Sequence, residues 1–202
     1  MFKLWWRPSK LDRELQPAIE QGDSARIREV AEAMLALDEG DELARFWAFH
    51  GSFSIGDGES ALCHSGWMVE HGSKPEEGHC WAMHTRYRMG EMSEAIREGE
   101  AAVRIRPGFV EARFMLGALL FETGDAVRAV EEFRACVASW ESDPDKKRKN
   151  HIIGPYARFR LGRALDAIGD REGARAEFQK VVQHPGLDKF RDWAIRELEH
   201  IG

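Results

Sequence analysis

The chain has 202 residues, with 35 Asp and Glu against 29 Lys and Arg and a formal net charge of −6 at pH 7. That length allows one domain with a sizeable core and needs no cross-links, and the acidic balance argues against nucleic acid as a partner. Cys63, Cys80 and Cys136 form no Cys-x-x-Cys pair and are too few for a secreted disulfide framework, so a reducing compartment is expected.

From Met1 to Pro8 the apolar run is only a few residues long, short of a signal-peptide core or a membrane span, and no later run comes close. The expectation is a cytoplasmic protein without a membrane span. Trp5 and Trp6 are expected to cover the open end of the first helices, with anchoring at a membrane interface or docking on a partner as the alternative.

Gly22-Asp23 begins a series of small-plus-acidic turns. Gly58-Glu59 is read as the second, 36 residues on, Gly90-Glu91 as the third after 32, and Gly124-Asp125 as the fourth after 34. Glycine permits the left-handed backbone that ends one helix, and the acidic residue can cap the next by accepting from its free N–H groups. In this register Cys63 and Ala95 hold a small buried position, each followed twelve residues later by a proline, Pro75 or Pro107.

The clearest repeat comes next. Ala112-Arg113-Phe114-Met115-Leu116-Gly117 recurs as Ala157-Arg158-Phe159-Arg160-Leu161-Gly162, 45 residues later. Each copy is followed by its turn, Gly124-Asp125 or Gly169-Asp170, and then by Ala129 with Phe133 or Ala174 with Phe178. The 45 residues are a 34-residue unit plus an 11-residue charged insertion, Glu141 to His151. The basic run Lys146-Lys147-Arg148-Lys149 within it reads as a solvated loop. Between the copies, Ala126, Ala129, Val130, Phe133, Cys136, Val137 and Trp140 recur at three- and four-residue steps, the stripe of a helix packed on a neighbour. After Pro185-Gly186, the residues Leu187, Phe190, Ala194, Leu198 and Ile201 form another stripe, with Lys189, Asp192, Arg196 and Glu199 opposite, as expected of a solvating cap helix.

At these residues the chain resembles the tetratricopeptide repeat family, whose pattern is an aromatic, Leu-Gly, a second aromatic, Ala-x-x-x-Phe and a closing Pro. Leu116-Gly117, Leu120, Ala129 and Phe133 match it, as do Leu161-Gly162, Leu165, Ala174 and Phe178. Arg113 and Arg158 stand where the family often has a large apolar residue, and Gly99 replaces the later aromatic. The resemblance implies an all-α, right-handed solenoid of stacked antiparallel helix pairs with a C-terminal capping helix, as one domain over 1–202. Its clearest repeats are 110–140 and 155–185, its degenerate ones lie at about 10–107, the insertion is 141–151 and the cap is 187–201.

The family is an interaction scaffold, so the resemblance further implies an adaptor that holds a peptide or protein segment in a groove lined by the first helix of each pair. Projected with the register above, the lining from Trp81 to Arg163 is Trp81, His84, Tyr87, Arg88, Phe114, Phe121, Tyr156, Arg160 and Arg163. Rings supply contact area at low entropic cost and guanidinium forks grip carboxylates; the rings could equally fill core. The alternative is a scaffold that self-associates through Trp5, Trp6 or its edge helices into a homo-oligomer. A metal-binding role for Cys63, Cys80 and His84 is weaker, because no Cys-x-x-Cys or His-Glu-x-x-His accompanies them, and no metal or other cofactor is expected. No nucleophile-elbow, phosphate-loop, dinucleotide or zinc-protease motif occurs, and the expectation is that the protein is not an enzyme.

Overall fold

The computed structural model describes residues 10–142, 152–184 and 188–201. Trp5, Trp6, the basic run at Lys146, Pro185-Gly186 and Leu187 lie outside the described residues. Among the described residues the fold is all-helical: α1 (Lys10–Gln21), α2 (Ser24–Leu35), α3 (Glu42–Ile55), α4 (Gly58–His71), α5 (Pro75–Arg88), α6 (Met92–Ile105), α7 (Val110–Glu122), α8 (Ala126–Glu141), α9 (Ile153–Ala167), α10 (Arg171–Val182) and α11 (Asp188–Ile201). They belong to two compact units, Met1–Glu98 and Gly99–Gly202.

Five glycines at positive φ turn the hairpins: Gly22, Gly56, Gly90, Gly124 and Gly169. The first four are spaced by 34 residues throughout. The second hinge is therefore Gly56-Asp57, not Gly58-Glu59, and the uneven intervals of 36 and 32 residues disappear. The aspartates that follow these glycines act as N-caps, accepting from the backbone of Arg26, Ser60, Arg128 and Gly173 through Asp23, Asp57, Asp125 and Asp170. Gly58 instead begins α4, where an added Cβ would lie 2.8 Å from the Met89 sulfur.

Moving the hinge moves the register of α4. Ala61, fully buried, fills the small position four residues after the capping Asp, and Cys63 is exposed. In the second unit the glycines of the two Leu-Gly pairs admit a ring from the paired helix: a Cβ on Gly117 would stand 2.9 Å from Phe133, and one on Gly162 would stand 2.5 Å from Phe178. In α3 and α4 the sizes are reversed at the equivalent positions, with Phe49 in place of the glycine and Ser65 in place of the phenylalanine, both buried. The core of the first unit is built from Leu15, Val30, Ala31, Met34 and Ala48, and from Phe49, Ala61, Met68 and Trp81. That of the second includes Val110, Cys136, Val137, Trp140 and Ala157.

Three of the hairpins also carry a polar clamp. Arg113 of α7 pairs with Glu132 of α8 at 2.6 Å, and Arg158 of α9 with Glu177 of α10 at 2.8 Å. In the first unit His79 of α5 lies 2.7 Å from Glu98 of α6 at the same 19-residue spacing. Arginine thus replaces a large apolar residue here without loss of packing: its stem covers the hairpin and its charge meets a carboxylate. Glu132 is half-buried in this pair.

Candidate functional site

In the first unit the first helices α3 and α5 place Phe46, His50 and Phe53 beside Trp81, His84 and Arg88. Trp81 stacks on Phe49 with centroids 4.8 Å apart and planes at 13°, and its edge meets Phe46 at 5.7 Å. It is buried, so it is core and not a groove ring: Phe49, in place of a small residue, draws the indole inward. His84 and Tyr87 are half-buried and Arg88 is exposed. Arg88 lies over the Phe53 ring at 4.3 Å and donates to the Phe53 carbonyl, capping the end of α3. Its guanidinium is therefore already engaged within the chain.

Burial pushes the pKa of both His50 and His84 below the ordinary 6.5, and the charge of His84 lowers that of His50 further. These two imidazoles are 34 residues apart and share one repeat position. Phe46, His50 and Phe53 were not among the residues singled out from sequence. Shifting Cys80, His84 and Tyr87 back by 34 residues would have found them.

In the second unit α7, α9 and α11 bring five of the expected residues together. Phe114 and Tyr156 meet at 5.1 Å, Arg160 lies over Tyr156 at 5.6 Å, and Arg163 lies over Phe121 at 5.8 Å. Phe114, Phe121, Tyr156 and Arg160 are half-buried, and Arg163 is exposed. The capping helix α11 shares this region. Phe190 stacks on Tyr156 at 5.1 Å, Trp193 packs on Phe159 at 5.6 Å, and Glu197 stands 3.6 Å from Arg163. Tyr156 is thus covered on one side by the protein's own C-terminal helix, whereas Phe121 and Arg163 stay open.

The metal-capable residues are not gathered. Cys63 is exposed on α4, Cys80 is buried on α5, and among the described residues no three His, Cys, Asp or Glu side chains converge as a ligand set. Next to Cys63, His64 is buried, and burial first, then the charge of Arg45, pushes its pKa down to about 4. The unfolded chain takes up this proton near pH 6.5 and the folded chain only near 4. Stability that is complete above pH 6.5 is therefore lost as pH falls toward 4. Denaturant unfolding across this window should show a smaller loss for His64→Gln than for the wild type. Parallel loss in the two proteins would contradict this.

Hairpins of this period, turned at glycine and clamped by Arg–Glu pairs, define a helical-repeat protein. Tetratricopeptide repeat models match residues 84–144 and 156–185. The crystal structure of MamA is similar in fold, with a TM-score of 0.69 at 16% identity over 88% of this chain and 95% of that one. So is YrrB, a tetratricopeptide protein with an unusual peptide-binding site, at a TM-score of 0.64 and 17% identity over 90% and 88% of the two chains. The tetratricopeptide repeat and J domain-containing co-chaperone DNJ1 of Cryptococcus neoformans is 25% identical over 122 residues, 56% of this chain and 22% of the co-chaperone. The chain thus spans about a fifth of that relative's length. Residues 84–144 and 156–185 are thus matched as tetratricopeptide repeats, and the fold of the chain is that of tetratricopeptide repeat proteins.

Proposed function

We propose that the protein holds a peptide segment against the first helices of its repeats, with the open part of the second unit as the main contact. The observation that carries this is the exposed Arg163 lying over the half-buried Phe121 ring. A ring with a cation at its rim fits an apolar anchor beside an acidic group, whether an Asp, a Glu or a chain terminus. Glu197 is the internal stand-in for that acid: a pair at 3.6 Å between an exposed arginine and a half-buried glutamate contributes little, so a ligand carboxylate can take its place at small cost. Phe114 and Arg160 extend the surface along α7 and α9. Arg88 and Phe53, with His50 and His84, form a similar cation-over-ring arrangement in the first unit. The peptide-binding site of YrrB and the co-chaperone relative support this reading.

Selection from a random peptide display library on the full chain tests it. The enriched peptides should pair a large apolar residue with Asp, Glu or the C-terminus. Replacing Arg163 by Gln should weaken the best of them about tenfold at low salt and flatten the salt dependence. Peptides without an acidic group, or affinity indifferent to Arg163, would contradict it.

A further inference from the structure

One hairpin lacks half of its clamp. Where α5, α7 and α9 set His79, Arg113 and Arg158 against Glu98, Glu132 and Glu177, α3 supplies Arg45, but 19 residues later α4 supplies His64. Arg45 is only 7% exposed. It donates to the Glu39 carbonyl at 2.8 Å and lies over the Trp67 ring at 4.4 Å, while its Nε is buried without a hydrogen-bond partner. His64 is equally buried, and its Nδ1 also lacks a partner.

Among the described residues no carboxylate is in ion-pair contact with Arg45. Both side chains line an open cleft of about 370 Å³, together with Leu35, Glu32 and the exposed Cys63. Glu32 is held by Arg28 at 3.7 Å. Burial pushes the Arg45 guanidinium below its usual pKa, and charge at Cys63 and Glu39 only partly opposes this. A buried cation and two unpaired ring and guanidinium nitrogens are costly unless an acceptor reaches them.

We infer that this cleft binds the carboxylate of a small acidic molecule, which takes the place that Glu98, Glu132 and Glu177 fill in three other hairpins. Its oxygens meet the Arg45 guanidinium and the ring of a neutral His64 where these side chains line the cleft, and the rest of the molecule lies beside Leu35. The site is separate from the first-helix residues assigned to peptide.

Cys63 is a built-in reporter, since Cys80 and Cys136 are buried. In each of two reagents its thiolate displaces iodide from the same kind of carbon, but iodoacetate carries a carboxylate and iodoacetamide a neutral amide. The rate ratio of iodoacetate to iodoacetamide at Cys63, read by peptide mapping of the full chain, should be about tenfold higher in the wild type than in His64→Glu, which restores the missing partner of Arg45. Succinate should slow carboxymethylation of the wild type and leave His64→Glu untouched. His64→Gln, which adds no carboxylate and keeps a side-chain N–H donor, should lower the ratio and its sensitivity to succinate far less than His64→Glu. If His64→Glu does not fold, the succinate competition and the Gln variant decide. Succinate without effect on the wild type, or a ratio that collapses equally in His64→Gln, would overturn the inference.

Discussion

Replacing Phe178 by Ala should cost about 3–5 kcal/mol of folding free energy. The ring is fully buried and fills the space left by Gly162, where no other side chain can follow it. The same chain indicates a compensation. Where α3 and α4 reverse the sizes, with Phe49 at the glycine position and Ser65 at the phenylalanine position, the hairpin is equally closed. Gly162→Leu alone should therefore be destabilising through overpacking against Phe178, but in the Phe178→Ala background it should restore part of the loss. A double-mutant cycle by urea unfolding should give a favourable coupling of at least about 1 kcal/mol. Additive losses would mean that the two positions are not the two halves of one packing unit.

The second large effect is expected at the clamp of the same hairpin. Arg158 and Glu177 are mostly buried and 2.8 Å apart, so removing one charge leaves the other in a poorly solvated place. Glu177→Leu should cost about 2–3 kcal/mol, a little below the usual range for a buried pair because Arg158 also reaches Glu141. Arg158→Met combined with Glu177→Leu should return close to wild-type stability, since an apolar pair of similar volume avoids the desolvation of both charges. Thermal and urea unfolding of the three variants check this. A double variant no more stable than Glu177→Leu would show that the pair supplies more than mutual neutralisation.

The contrast between repeats explains what the sequence disclosed. In α7 to α10 the glycine at each Leu-Gly receives a ring from its partner helix, so the motif and its packing coincide and both hairpins are visible in the residues themselves. In α3 and α4 the same space is filled the other way round, by Phe49 over Ser65, and no motif based on glycine detects it. The hinge was obscured for a different reason. Gly56-Asp57-Gly58-Glu59 contains two consecutive small-plus-acidic pairs, and only the first joins a left-handed glycine to an aspartate short enough to cap α4.

That two-residue error placed Cys63 inward and left Ala61 unnoticed. It also hid the alignment of Arg45 with Arg113 and Arg158. At the candidate site, spacing placed the rings and arginines on the first helices α5, α7 and α9, but could not separate core from surface. Trp81 is drawn inward by Phe49, Arg88 is engaged by the end of α3, and Tyr156 is covered by Phe190, all through contacts between residues distant in sequence.

In the proposed function the open surface around Phe121 and Arg163 holds an acidic, apolar-anchored peptide. Amide and methyl resonances of the full chain, followed by nuclear magnetic resonance while a display-selected peptide is titrated in, test it most directly. The largest shifts are expected to cluster on Phe114, Phe121, Arg160 and Arg163, and Arg163→Gln, at unchanged fold, should move the titration to about tenfold higher peptide concentration at low salt. Shifts confined to the second helices α8 and α10, or a set that persists unaltered in the variant, would contradict it.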